Sequence, residues 1–456
     1  ERDALLAFKQ AVNDTFDDLT SWQKQHKDCC RWRGVTCSNE TGHVIELDLG
    51  GTCLFGKISP SLLSLEHLEY LDLHNTYLLG PDGTSLFPEF LCSLNNLRHL
   101  DLSITKFSGR LPAQLANLSK LEYLDLSCTS MSGILPPQLG NLSNLRHLEL
   151  SNMRDIHISD ISWLTHLQFL EYVDMSYTNL SSAGVFLVTN TIPSLKALIL
   201  ANCSIPNANQ SLTHVNLTKL EQLQLSGNYL GHQIETCWFW NITSIKYLGL
   251  DSTYLYGPFP DALGGMVSLQ SLNFFNNGNS ATMTVDLKNL CELEELYLDR
   301  SLAFANLTDF MTKLPQRLQY LSSSQNNMAG MLPDMVGHFT SLESLDLYNN
   351  SITGAIPTGL VNCTSLQSVS LGLNQLIGQI PTLPTSLTDV DLSMNSLSGP
   401  LPSDFVAPHL AVLSLSSNYI TGHVPRPICE LQNLLFLDLS QNRFAENFPG
   451  VLQCQT

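Results

Sequence analysis

"LRHLDLSITKFSGRLPAQLANLSK" occupies Leu97–Lys120, and "LEYLDLSCTSMSGILPPQLGNLSN" follows directly over Leu121–Asn144. The same frame continues in both directions. Aligned on L-x-x-L-x-L-x-x-N, the sequence holds 17 units, the first starting at Val44 and the last at Leu434. Most units span 24 or 25 residues; the one at Leu68 spans 29 and the one at Leu366 spans 21. Within a unit, apolar residues two apart, such as Leu71 and Leu73 or Leu437 and Leu439, put both side chains on one face of a strand. One unit cannot bury its leucines, but neighbours pairing as parallel strands about 4.8 Å apart bury them in a continuous ladder. The expected fold is an α/β solenoid, and 17 such strands predict a stack on the order of 80 Å long. A chain of 456 residues would otherwise imply several separate cores, and the repeat removes that need.

Composition narrows the setting. The chain carries 41 acids against 22 bases, a net charge of −19, which disfavours nucleic acid and anionic membrane as partners and favours a cationic protein or peptide. Its 12 cysteines contain no C-x-x-C pair and no Cys/His set at zinc spacing, so disulfides are expected and metal is not. Asn-x-Ser/Thr sequons begin at Asn13, Asn39, Asn117, Asn141, Asn179, Asn202, Asn209, Asn216, Asn241, Asn306, Asn349 and Asn362. That density predicts a secretory route and heavy N-glycosylation. The sequence has no signal peptide and no apolar run long enough to span a bilayer, and it reads as a mature or trimmed extracellular piece.

The ninth position of the frame is Asn at Asn228, Asn326, Asn350, Asn374, Asn395, Asn418 and Asn442, where an inward amide can bond the buried backbone of its own and the next coil. Cys203 occupies the same slot as a structural residue. The second half of each unit reads x-L-x-G-x-I/L-P, as in "KFSGRLPAQL" and "SITGAIPTGL". Glycine permits the turn and proline keeps a central helical turn out, so the back of each coil is expected to be irregular or an extended edge.

This "LxGxIP" signature resembles the plant-type leucine-rich repeat, which implies a right-handed superhelix with a concave parallel sheet. "ERDALLAFKQAV", with Leu5, Leu6, Phe8 and Val12 at helical spacing, followed by "LTSW" and "CCRWRGVTC", is similar to the helical N-terminal cap of plant receptor-like proteins, receptor kinases and polygalacturonase inhibitors. The resemblance divides the chain into a cap at 1–43 and a solenoid at 44–456. It also implies a Cys30–Cys37 disulfide and leaves Cys29 open, with Cys53 an alternative partner. Cys429 and Cys454 are 25 residues apart, about one coil, so a bridge between them is expected. The last coil is incomplete at Thr456, without the C-terminal cap, membrane helix and basic tail usual in that family, which reads as a trimmed chain or a short secreted member.

No catalytic constellation is written in the sequence: no G-x-S-x-G, no H-E-x-x-H, no phosphate loop and no kinase signature. The column Asp72, Asp101, Asp125, Glu149 and Asp174 reads as a default surface feature of the repeat rather than acid/base machinery, and no cofactor is expected. Binding is expected at positions three, five and seven of each unit, which point out of the strand face. In the early units these slots alternate Tyr or His, an acid, and Ser or His, with little sign of tuning to a ligand. From the seventh unit they diverge into a mixture of aromatics and acids, and Tyr247, Asp251, Phe275, Tyr297, Asp299, Tyr320 and Tyr348 are the candidate ligand-binding residues. "CWFWNIT" at Cys237–Thr243 is expected on the back of a coil, packed in the core, and "GPDGTSLFPEF" in the long unit as a lateral loop. No gap is large enough for the island domain with which large receptors of this family bind small ligands, which argues against a steroid-type hormone.

The resemblance implies an extracellular or apoplastic recognition module, membrane-anchored in a longer native chain or secreted. It would bind a secreted pathogen protein and signal through a partner receptor-kinase ectodomain. The alternatives are a secreted inhibitor of a microbial cell-wall hydrolase and, lower, a developmental peptide receptor.

Overall fold

The computed structural model describes residues 1–158, 160–180, 185–205, 214–403 and 407–445, with the side chain of Cys429 not described. They form two compact units, Glu1–Tyr229 and Leu230–Thr456. The sequon at Asn209 and the proposed Cys429–Cys454 bridge lie outside the described residues.

The first unit opens with the helix Arg2–Ala11, which buries Ala4, Leu5, Leu6 and Phe8. Val12 departs from the helical spacing read in the sequence: its backbone is extended, and it starts the strand Val12–Asp14, paired antiparallel with Leu54–Lys57. A β-branched residue suits that exit. Phe8 packs on Trp22 and Trp22 stacks on Trp32, with centroids 6.2 and 5.5 Å apart. The Lys9 ammonium ties the segment down, donating to the Leu19 carbonyl at 2.6 Å and the Trp22 carbonyl at 3.0 Å. Cys30 and Cys37 form the expected disulfide, and Val35–Cys37 pairs antiparallel with Val44–Asp48. The first repeat strand is thereby covered instead of being left as an open edge.

From Val44–Asp48 the repeat strands pair in parallel and in chain order, one three-residue strand per coil, through Tyr70–Asp72 to Gln222–Gln224. The second unit repeats this from Tyr247–Gly249 to Phe436–Asp438. The central residue of each strand, Leu100, Leu124, Leu296 or Leu345 for example, is buried while its neighbours look outward, except in Phe436–Asp438, where Leu437 is 40% exposed. Each buried leucine contributes roughly 1.5–3 kcal/mol. Each unit is therefore a leucine-rich solenoid.

The ninth position closes the backbone accounts of each coil. The Asn395 amide nitrogen donates to the carbonyls of Leu371, Leu392 and Ser393, and its oxygen accepts from Leu376 N–H. Asn228, Asn277, Asn326, Asn350, Asn374, Asn418 and Asn442 make the same kind of reach. The coil they reach is the preceding one rather than the next. In the first unit threonine takes this slot at Thr76, Thr105, Thr129 and Thr178, and its hydroxyl bonds a carbonyl three residues back in its own coil. Cys203 is fully buried here, its thiol directed at the Met175 carbonyl at 3.0 Å.

The Gly-x-Ile-Pro half of the coil is an extended edge followed by a 3₁₀ turn, as in Ser351–Gly354 and Thr358–Asn362. Those edges pair with one another. In the second unit a parallel ribbon runs from Ala305–Asn306 to Arg443–Phe444; in the first, Ser108–Gly109, Ser130–Ile134 and Asp155–His157 form one three-stranded sheet, and Leu54–Lys57 and Tyr77–Leu79 form another with the cap strand Val12–Asp14. Among the described residues the pairing lapses where the motif is lost, after Asp155–His157 and after Ala281–Thr282, leaving isolated bridges at His157–Asn179 and Ala281–Leu302. The "CWFWNIT" stretch lies on the back of its coil: Trp238, Phe239 and Trp240 are buried, and Trp240 Nε1 donates to the Ile234 carbonyl at 2.8 Å.

Candidate functional site

The outward faces of the two strand ladders use their aromatic residues in opposite ways. In the first unit Tyr70, His99, Tyr123, His147 and Tyr172 stack in one column across five consecutive strands, with ring centroids 4.0, 4.1, 4.3 and 4.1 Å apart. The repetition read from the sequence is thus a stacking requirement: both faces of His99, Tyr123 and His147 are covered by neighbouring rings. Burial depresses the His99 pKa to about 4 and raises that of Tyr70 to about 12, the latter with help from the Asp72 charge. The Nε2 of His147 lies 3.6 Å from the Glu149 carboxylate, too far for a hydrogen bond.

Three of the five members of the neighbouring carboxylate column are not the surface residues the sequence suggested, whereas Glu149 and Asp174 are partly exposed. Asp72, Asp101 and Asp125 are 7, 8 and 6% exposed, because the aromatic column shields them. Each carboxylate accepts the backbone N–H two residues on, from His74, Ser103 and Ser127, closing the turn that ends the strand. Burial raises the pKa of Asp101 and Asp174, and pushes Asp125 up to about 6. Asp72, His74 and Asp101 bring one donor atom each within 4.8 Å of one another, but Asp72 Oδ1 is engaged by His74 and Asp101 Oδ1 by Ser103.

In the second unit the ladder opens into a depression of about 660 Å³, followed by one of about 510 Å³, the two sharing Asn276, Arg300 and Gln325. Phe275, Tyr297 and Asp299 line the first, so the structure brings three of the seven candidate residues together. Strand register explains this, since Asn273, Tyr297, Ser322 and Asp346 are successive partners across four strands. Asp299 Oδ1 accepts from the hydroxyls of Ser322 and Ser324 and from Ser324 N–H. Asp346 accepts from Tyr348 N–H, and burial raises its pKa.

Tyr247, Asp251, Tyr320 and Tyr348 lie outside the lining of this depression. Tyr247 is 47% exposed on the first strand of the unit, and the Tyr320 hydroxyl donates to Glu343 at 2.7 Å. Asn276, Arg300 and Gln325 were missed by the sequence reading. They sit at position eight with Asn349, in left-handed backbone of φ 59, 51, 53 and 54°. That conformation swings the side chain to the rim of the face, and the available signal was the Asn/Arg/Gln run at one repeat position. The described sequon asparagines are exposed or, at Asn349, partly so, and none occupies slot three, five or seven.

Family models match the chain as a leucine-rich-repeat N-terminal domain over residues 1–38, as leucine-rich repeats over 96–118, 120–142, 386–407 and 409–431, and as a two-copy repeat over 340–385. Receptor-like protein EIX2 of Solanum lycopersicum is 37% identical over 76% of this chain. Receptor-like protein EIX1 of the same plant is 32% identical over 61% of it, and receptor-like protein 54 of Arabidopsis thaliana 28% over 96%. The chain spans 33, 26 and 48% of these three relatives, at most about half of their length. Among solved structures a TDR receptor superposes with a TM-score of 0.65 at 23% identity, over 89% of this chain and 82% of that one. The Arabidopsis receptor kinase HAESA, in complex with the peptide hormone IDA and the co-receptor SERK1, gives 0.54 at 23%, over 100% and 92%. At these identities the structures speak for the fold. No helix among the described residues is long and apolar enough to cross a membrane.

Proposed function

Because this chain is a leucine-rich-repeat protein related to plant receptor-like proteins, we propose that it is an extracellular recognition module that binds a secreted pathogen protein on the strand face of its second unit. The observation that carries this reading is the depression at Phe275, Tyr297 and Asp299, where unstacked aromatics and acids meet on a stiff sheet. HAESA, of the same fold, is seen with both a peptide and a co-receptor, which supports signalling through a partner receptor-kinase ectodomain in the apoplast. The cap and the solenoid, divided near residue 43, play different parts: the cap covers the ladder end and the solenoid binds. Sequons off the strand slots fit a glycosylated protein whose strand slots stay bare, with the Asn349 sequon at the rim of the second depression. The alternative, inhibition of a microbial cell-wall hydrolase, would use the same face to block an enzyme cleft. A developmental peptide receptor ranks below both.

Capture from infected-plant apoplastic fluid tests the reading. The glycosylated protein should retain a secreted microbial protein, and a folded Tyr247→Ala/Phe275→Ala/Tyr297→Ala variant should not. Retention by both would remove this face as the site. Loss of hydrolase activity on mixing would select the inhibitor.

A further inference from the structure

We propose that the linked depressions on the second unit take a neutral oligosaccharide, with sugar rings against Phe275 and Tyr297 and hydroxyls along the rim of Asn276, Arg300, Gln325 and Asn349. This rests on the recognition reading above and gives the chemistry of what is recognised: a glycan, free or carried by the secreted partner.

The aromatic floor is the first reason. In the first unit the three inner rings of the column, His99, Tyr123 and His147, are covered on both faces by their neighbours. Phe275 is 38% exposed, and neither it nor Tyr297 stacks on another ring among the described residues. Their faces are open to the apolar C–H face of a sugar ring, a contact of the kind that aromatic side chains supply in small-molecule sites.

The rim is the second. Position eight places two amides of asparagine, one of glutamine and a guanidinium on four successive coils, about 4.8 Å apart. That spacing is close to the advance of an extended sugar chain per ring. Planar amides and guanidinium offer paired donors and acceptors that match neighbouring hydroxyls. Arg300 Nε donates to Gln325 Oε1 at 2.6 Å, while its Nη groups make no hydrogen bond or ion pair among the described residues. Below the rim, Asp299 takes its three protein hydrogen bonds on Oδ1 alone, which leaves Oδ2 to accept from a sugar hydroxyl.

Charge is the third. Two carboxylates, Asp299 and Asp346, line the first depression against the single guanidinium of Arg300. An acidic sugar chain would meet net repulsion, whereas a neutral one uses the carboxylates as acceptors.

The test is titration of the folded protein by calorimetry and ligand-observed NMR with neutral hexasaccharides (cellohexaose, xylohexaose, chitohexaose, mannohexaose) and with hexagalacturonate as the acidic control. At least one neutral hexasaccharide should bind ten times or more tighter than hexagalacturonate. Arg300→Gln should weaken it by about tenfold. Ser351→Ala removes the Asn349 sequon while keeping the Asn349 side chain, so it reports binding with no glycan on the rim. Failure of every neutral sugar on both the wild type and Ser351→Ala overturns the proposal. So does preference for hexagalacturonate, or an affinity that Arg300→Gln leaves unchanged. Competition between the bound sugar and a captured apoplastic protein, present before but absent after enzymatic deglycosylation of that protein, assigns the glycan to the partner; competition in neither case assigns it to free wall fragments. If no sugar binds but the protein is still captured, this inference fails and the recognition reading stands. Sugar binding without protein capture gives the reverse.

Discussion

Asp125 shows what a repeat does to an ordinary carboxyl. Its slot in "YLDLS" is solvent-facing in any single strand, yet the stacked Tyr123 and its neighbours leave it 6% exposed. Its folded pKa of about 6 lies above the value near 3.9 expected in the unfolded chain, so the folded state holds the proton more tightly. That contribution to stability is complete below about pH 4 and is lost as pH rises through about 6. His99, held down at about 4, acts in the opposite sense, since its stability contribution falls as pH drops below about 6.5. The two must be separated by substitution. Between pH 7.5 and pH 5 the wild type should gain about 1.4 kcal/mol relative to Asp125→Asn, read from denaturant midpoints at both pH values. Parallel pH dependence in the two proteins would contradict this. The residue types of the column were legible in the sequence; their burial was not, because it comes from rings contributed by other coils.

At the scale of the coil, the ninth position separates two ways of satisfying buried backbone. Asn395 serves the Leu371 carbonyl and Leu376 N–H of the preceding coil as well as carbonyls of its own. Thr105 bonds Leu102 O alone, at 2.6 Å. Asn395→Ala strands several buried polar groups and should cost about 3 kcal/mol, against about 1 kcal/mol for Thr105→Val. Equal losses in urea unfolding would show that the reach between coils carries no energy. The leucine period and the inward asparagine were readable because each recurs at a fixed spacing. The direction of the amide's reach, back to the preceding coil, depends on strand offset and could not be read. The same limit hid the rim. Arg300 looks like any exposed arginine until its left-handed backbone places it beside Asn276 and Gln325.

At the scale of the whole chain, the repeats and the aromatic-acid divergence from the seventh unit on were legible, and the cap disulfide through the family resemblance, while the depression was not. Only Phe275, Tyr297 and Asp299 converge there, since strand register and open ring faces decide which outward side chains share a concavity. The net charge of −19 predicts that association with a cationic partner slows as salt rises, by roughly tenfold between 50 and 500 mM, in surface-binding kinetics. A salt-independent rate would place the recognition on uncharged contacts. The most direct test compares the affinity of a captured apoplastic protein for two folded double variants, Phe275→Ala/Tyr297→Ala in the second unit and Tyr123→Ala/His147→Ala in the first. The open rings of the second unit predict a loss of about a hundredfold for the first variant and wild-type affinity for the second. Full affinity in the Phe275→Ala/Tyr297→Ala protein, with loss in the Tyr123→Ala/His147→Ala protein, would move the site to the stacked column and contradict the account.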